Sequence, residues 1–379
     1  MKMTDPTTFS VPLVPGRVCF NGKFLSAESS GVHRVAAELI RAVDQLLVER
    51  RAPERPIEIL VPGNAVHDAA TRRILSRAVG ALTWIPWEQL ELPRYARGGL
   101  LVNLCNLGPL AARRAITMVH DAQVYLSPRS YSRGFRLWYR LALPVLGRRN
   151  QRILTVSAYS REQIARFGIA PRERITVIRN GVDHILRPTA DADVLDRLGL
   201  RPRGYACALA STQAHKNIGV VLAAFARPEL ADLALVLIGG EDRAAFERRG
   251  LSVPPNVVFA GRVSDEELRG LLEGALCHLC PSLTEGFGLP PLEAMLLGTP
   301  AIVSPEGALP EICGGAAIYA ATHEPAAWAT RIRRLADDPG MWQARSAIGR
   351  ARAEGFTWRR AAEELLEVIA AESERANVR

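Results

Sequence analysis

Short apolar, β-branched runs alternate along this chain with stretches of helical periodicity, and the alternation runs through two successive series. The first holds strand candidates at 17–24, 57–62, 100–105, 115–121, 152–158 and 174–183. Between the first two, Val32, Val35, Ala36, Leu39, Ile40, Val43, Leu46 and Leu47 recur on one helical face. The second series has strand candidates at 205–211, 233–240, 256–263, 277–282, 300–304 and 316–320, with helices at 217–226 and after Pro291. Such alternation specifies parallel sheets covered by helices. Two series in 379 residues predict two doubly wound α/β domains, each large enough for its own core. The polar, proline-containing stretch 183–205 connects them. From Trp358 the chain forms one amphipathic helix, with Ala361, Leu365, Leu366, Val368 and Ile369 as apolar positions. Two such domains make a cleft at the carboxyl ends of their strands, where α/β sheets bind small molecules.

Composition narrows the class. Apolar residues make up 48% of the chain and charged ones 23%, as in ordinary soluble proteins. No apolar run reaches the roughly 18–20 residues that cross a bilayer. The first residues carry an acid and prolines where a secretory signal has an apolar block, and a loose tail is expected there. Of the six cysteines, Cys277 and Cys280 form a C-x-x-C around His278. That segment has a buried-strand pattern and no second ligand pair follows, so reduced core cysteines in a cytosolic protein are expected. The net charge of +9 points to an anionic partner: nucleic acid, nucleotide or membrane surface. Nine arginines and a single acid, Asp121, fall between positions 113 and 152.

The stretch PSLTEGFGLPPLEAMLLGTPAIVS, 281–304, carries the chemistry. Gly286 and Gly288 lack side chains, which lets backbone N–H groups approach an anion. Pro290 and Pro291 suit the first turn of a helix, and Gly298 suits its end. A helix N-terminus behind a glycine loop favours phosphate. Glu293 lies just inside that helix, where a carboxylate can accept from the vicinal hydroxyls of a ribose. Glu285 ends the preceding strand, where it can meet a second polyol. One carboxylate per sugar, with a diphosphate over the loop between them, describes a sugar nucleotide. Taken singly, Glu293 could instead complement its helix dipole and Glu285 be a solvated loop residue.

These residues resemble the donor-site signature of the retaining glycosyltransferases of family 4, which have the GT-B fold. STQAHKNIGVVLAAF is similar to the family's phosphate-lysine segment, VIRNGVD to its interdomain hinge, and GRVSDEELRGLLEGA to the stretch that meets the nucleobase. WEQLELPRYA, TMVHDAQVYLSPRSYS and ILTVSAYSREQI resemble bacterial polysaccharide mannosyltransferases. The resemblance implies a first domain of 1–182, with the helix 357–379 packing back on it, and a second domain of 183–356. It implies Glu293 on the ribose, Glu285 on the transferred sugar, and the N–H groups of Phe287, Gly288 and Leu289 around the diphosphate and sugar. Lys216 would lie on the diphosphate, and the Val263 backbone on the base. Many relatives carry an arginine shortly before the lysine. Here Ser211, Thr212, Gln213 and His215 stand in that region, so a hydroxyl with His215, or an arginine from elsewhere, has to complete the site.

On the first domain, Gly31 opens a helix and by resemblance turns its N–H to the donor phosphate. His120, with Asp121 at the carboxyl end of a strand, matches the family's His-Asp and is expected to touch the transferring sugar or polarise the acceptor hydroxyl. His33 and His67 are read as surface residues, and Ser157 and Ser160 as caps of the helix that starts there. Arg133, Arg136, Trp138 and Arg140 suit an interfacial helix on anionic lipid or a groove for a lipid-diphosphate acceptor; a solvated helix face is the alternative.

The implied activity is metal-independent transfer of a hexose, with retention, from a nucleotide sugar to a hydroxyl, and no cofactor is expected. By resemblance the donor is GDP-mannose, with UDP- and dTDP-sugars behind it. The implied acceptor is a surface polysaccharide on a polyprenyl diphosphate, handled on the inner face of the cytoplasmic membrane. Competing readings are a sugar-nucleotide epimerase or hydrolase of similar fold, and a basic module for membrane or nucleic acid. No nucleic-acid motif supports the last. No G-x-G-x-x-G follows a strand, which disfavours a dinucleotide oxidoreductase. Asp191 and Asp193 form a D-x-D, but in the connection and not at a strand end.

Overall fold

The computed structural model describes residues 16–27, 30–49, 57–67 and 70–377; the expected loose tail lies outside them. The first sheet has seven strands: β1 Val18–Asn21, β2 Ile57–Val61, β3 Leu75–Ala78, β4 Leu100–Asn103, β5 Ala115–Met118, β6 Arg152–Thr155 and β7 Ile175–Val177. They are parallel, in the order β3-β2-β1-β4-β5-β6-β7. The second sheet has β8 Tyr205–Leu209, β9 Ala234–Ile238, β10 Val257–Gly261, β11 Cys277–Cys280, β12 Ala301–Val303 and β13 Ile318–Tyr319. These too are parallel, in the order β10-β9-β8-β11-β12-β13. Strand order reverses between β1 and β4 and again between β8 and β11. Those switch points are where open α/β sheets take ligands, and Lys216 and Glu285 follow β8 and β11.

The predicted apolar faces fill the core. Val35, Ala36, Leu39, Ile40, Val43 and Leu46 of helix Gly31–Glu49 are buried. They pack with Leu365, Leu366 and Ile369 of helix Trp358–Asn377. Each of those three is worth roughly 1.5–3 kcal/mol of burial, and Arg152 on β6 adds an ion pair to Glu372 at 2.8 Å. The last helix is therefore anchored on the first sheet's layers. The chain passes between the two halves twice, and the passes lie against each other. Val182 N–H donates to Phe356 O at 3.0 Å, and Trp358 N–H donates to Asp183 Oδ1 at 2.8 Å. A Cβ on Gly181 would fall 2.1 Å from Trp358 N, so only glycine fits there.

Two expectations need correction. The strand β3 comes in addition to those expected: all four of its residues are exposed and leave no pattern of burial. The connection 183–205 is not a plain solvated linker. It holds a turn at Asp183–Leu186 and a short helix at Val194–Arg197, with His184, Ile185 and Val194 buried. Asp191 pairs there with Arg197 at 2.7 Å and accepts from Asp193 N–H at 2.9 Å. Cys277 and Cys280 are buried thiols on β11, and Cys280 is pushed up to about 12 by burial.

Candidate active site

The loop after β11 is built from the sheet outward. Gly288 has φ of +96°, and a Cβ there would meet Leu309 Cδ2 at 2.8 Å, so it both turns the chain and admits its neighbour. It precedes helix Leu289–Leu296, whose first turn holds the two prolines. The N–H groups of Phe287, Gly288 and Leu289 thus sit at a helix N-terminus, with the Phe287 ring buried against Phe356. Gly307, at φ +65°, lies against the Glu285 backbone, and Ala308 N–H donates to Glu285 O at 3.0 Å. The loop 304–308 thereby fixes Glu285 from behind.

Lys216 and Glu285 are brought together directly. Lys216 Nζ donates to Glu285 Oε1 at 2.7 Å, and Ser282 Oγ donates to the same oxygen at 2.7 Å. Burial opposes charge on Glu285, but the ammonium and both hydrogen bonds outweigh it and hold the carboxyl below its usual range. Burial likewise opposes charge on Lys216, and Glu285 outweighs it to raise the lysine. Lys216 is steered by Asn217, which takes φ of +51° and donates from its amide to Pro281 O and Thr322 O.

His215 is not itself a second cation. Burial, helped by Lys216, lowers its pKa to about 4, so the ring is neutral at physiological pH. Its Nδ1 lies 2.9 Å from Ser130 Oγ. Ser211 is buried, and its hydroxyl accepts from Gln213 N–H at 3.3 Å.

Across the cleft, His120 is buried, with Nε2 2.8 Å from Leu104 O. A carbonyl only accepts, so Nε2 carries the proton and Nδ1 is left as the acceptor. Burial lowers its pKa to about 4, against the pull of that carbonyl. His120 is therefore a neutral hydrogen-bonding group. Its neighbour Asp121 is pushed by burial up to about 6, against the Gln123 N–H that it accepts; the charge of Glu285 adds to the rise. His33 is half-buried, its ring 6.3 Å from that of Phe24. His67 is exposed as expected.

Gly286 also has a steric task. A Cβ there would meet Asp121 Cβ at 2.8 Å and His120 O at 3.0 Å. Its carbonyl accepts from Ser157 Oγ at 2.6 Å and Ser160 Oγ at 3.1 Å. The glycine lets the loop after β11 close on the His120–Asp121 turn. Ser157 does cap helix Ala158–Arg166, accepting from Ser160 N–H, and it uses its own proton on the loop. Gln123 donates to Thr284 O at 2.8 Å, and Glu311 accepts from Ala158 and Tyr159 N–H at 3.0 and 2.9 Å.

Gly31 opens helix Gly31–Glu49 with nothing within 4 Å of where its Cβ would be, so packing does not demand a glycine. One turn on, Arg34 crosses to Asp265, donating from both terminal guanidinium nitrogens at 3.1 and 2.7 Å. Asp265 opens helix Asp265–Gly274, capped by Ser264, and half-buried Val263 precedes it. Glu293 is buried, with His184 Nε2 3.1 Å from Oε1.

Two family models match the chain: "Glycosyltransferase Family 4" over residues 29–185 and "Glycosyl transferases group 1" over residues 202–354. The chain is 31% identical over 261 residues to an O-antigen chain mannosyltransferase B of Escherichia coli, covering 66% of this chain and 68% of that one. The chain belongs to the family 4 glycosyltransferases. It is also 36% identical over 167 residues to a GDP-mannose-dependent alpha-(1-6)-phosphatidylinositol dimannoside mannosyltransferase of Mycobacterium tuberculosis, 44% of this chain and 43% of that one. Among solved structures, a sucrose-phosphate synthase from Thermosynechococcus elongatus superposes with a TM-score of 0.68 at 18% identity, over 96% of this chain and 99% of that one. The two parallel sheets are thus those of a GT-B glycosyltransferase, and the protein is a hexosyltransferase.

The arginine-rich helix of this transferase spans Arg133–Arg149. Arg133 and Arg140 are exposed, Arg136 and Trp138 half-buried, and the neighbouring Leu137 and Leu141 stand 61% and 60% exposed. The helix is held by Ala142, Leu143 and Leu146. Rings of Tyr139, Phe135 and Tyr131 stack at 4.2 and 5.3 Å, and Tyr131 lies 6.5 Å from His215, beside Lys216. Among the described residues no helix is long and apolar enough to cross a membrane.

Proposed function

We propose that this glycosyltransferase moves mannose from GDP-mannose, with retention, to a hydroxyl of a glycan or lipid-linked saccharide during surface polysaccharide synthesis. The observation that carries the reading is the Lys216–Glu285 pair at the mouth of the Phe287–Leu289 loop, facing the His120–Asp121 turn. A donor diphosphate takes Lys216 and the loop's N–H groups, which stabilise the charge that grows on the leaving group. The freed Glu285 carboxylate then accepts from hydroxyls of the hexose. Glu293 accepts from the ribose, the Gly31 N–H approaches the phosphates from the other side, and Val263 faces the base. His120, neutral, accepts a sugar hydroxyl at Nδ1. With Lys216 offsetting the charge, transfer proceeds without a divalent ion.

Mannose and GDP are supported by the names of the relatives above, and retention by the family. The acceptor is proposed to be carried on polyprenyl diphosphate. Arg133, Arg136, Trp138 and Arg140, with Leu137 and Leu141 exposed among them, suit an anionic lipid surface, which places the enzyme peripherally on the inner leaflet. The test is incubation with GDP-mannose and lipid-linked acceptor in chelator, with the product's anomeric configuration read by NMR. An α-mannoside is expected, lost in Glu285→Ala, with donor KM raised in Glu293→Ala. Conversion of donor without acceptor, a strict divalent-ion requirement, or wild-type turnover in both variants would contradict the proposal.

A further inference from the structure

We infer that His184, oriented by Trp358, is a positioning residue that aims Glu293 at the donor's ribose. The inference rests on Glu293 being the ribose carboxylate. His184 lies in the turn just after the first pass between the two halves, and Trp358 opens the last helix just after the second. Trp358 Nε1–H donates to His184 Nδ1 at 3.0 Å. An indole N–H only donates, so Nδ1 must hold its lone pair. The proton of the neutral ring is therefore on Nε2, on the side of Glu293.

That proton is not yet used well. Nε2 is 3.1 Å from Glu293 Oε1, yet its N–H is not aligned with any acceptor, and the ring is 4% exposed. A buried donor without a partner is costly, and a small turn of the Glu293 carboxylate recovers the bond. His184 thus draws one oxygen, Oε1, and biases the carboxylate to present the other to the ligand. Trp358 is itself fixed: it is buried, its backbone N–H is held by Asp183, and Gly181 gives it room. The same segment reaches the loop again through Phe356, whose ring meets Phe287 edge-on at 5.8 Å. The paired passes of the chain therefore contact the donor helix both before its first turn, through Phe287, and within it, through Glu293.

The test compares binding of GDP and 2′,3′-dideoxy-GDP by calorimetry, with the uridine pair in parallel. The ratio of the two affinities isolates the ribose hydroxyls and cancels general damage to the fold. Wild type is expected to prefer the ribonucleotide about tenfold. Trp358→Phe keeps the ring and removes only the indole N–H, and His184→Leu removes the imidazole. Both are expected to bring the ratio to within about twofold of unity with dideoxy binding unchanged. His184→Gln, which keeps an N–H near the Nε2 position, is expected to restore it. Glu293→Ala is the control: if it keeps the wild-type preference, or if wild type shows none, the ribose assignment itself is wrong. If Glu293→Ala abolishes the preference while Trp358→Phe and His184→Leu keep it, the positioning role is overturned.

Discussion

Replacing Glu285 by glutamine should tighten the binding of a bare nucleoside diphosphate while stopping transfer. In the ligand-free enzyme Lys216 already has an anion, Glu285 Oε1, at 2.7 Å. The pair is largely shielded, at 23% and 15% side-chain exposure, so a charge-assisted bond there is worth about 1.5–3 kcal/mol. A diphosphate must give up that bond to recruit the lysine, and a nucleoside diphosphate offers no hexose hydroxyls to the abandoned carboxylate. Glu285→Gln removes most of the cost. Recovering about 1.4 kcal/mol of it lowers Kd tenfold. The full nucleotide sugar should behave oppositely, because its hydroxyls lose a charged acceptor; its affinity should fall or stay level, and turnover should drop by at least about 100-fold. Calorimetric titration of wild type and variant with both ligands reads all of this. A variant that binds the bare nucleoside diphosphate no better than wild type would refute the competition between Glu285 and phosphate for Lys216.

Three further outcomes follow from the same cleft. Asp121 titrates at about 6 in the folded protein against about 3.9 unfolded, so its contribution to stability is full below pH 4 and falls as pH rises through 6. Asp121→Asn should therefore raise the Tm at pH 7.5, by up to roughly 3 kcal/mol of stability, with the gain gone at pH 4; a gain equal at both would exclude the titration of Asp121 as its source. Gly286→Ala puts a methyl 2.8 Å from Asp121 Cβ, so kcat/KM should fall about 100-fold, some 2.7 kcal/mol, with the far-UV spectrum unchanged, and normal activity would show that the loop need not close on that turn. Arg136→Glu with Arg140→Glu should weaken sedimentation with anionic vesicles, each cation being worth about 1 kcal/mol, and leave transfer to a soluble acceptor intact; unchanged vesicle binding would remove the membrane role from this helix.

Most strands were legible because a two-sided buried sheet forces apolar runs such as Leu100–Asn103 and Ala234–Ile238, whereas β3, exposed throughout, carries no such imprint. The 281–304 loop could be read from residue type alone, since glycine, double proline and flanking acids each have a local backbone reason. What remained hidden depends on contacts between distant positions. Glu285 and Lys216 are 69 residues apart and hydrogen-bond to each other. Glu311 serves the helix at Ala158 from 153 positions away, and nothing local in LPEIC announces it. Local chemistry announces Gly286 as a glycine beside an anion, whereas its close approach to the His120–Asp121 turn of the other half shows only in the fold. Nothing local marks His184 either, as its partner is Trp358, 174 positions on.

The most direct measurement is a crystal structure of the enzyme soaked with GDP. The account predicts phosphate oxygens within hydrogen-bond distance of the N–H groups of Phe287, Gly288 and Leu289, Lys216 turned from Glu285 onto the phosphate, and Glu293 on the ribose. Nucleotide bound elsewhere, with the loop empty and Lys216 still on Glu285, would contradict it.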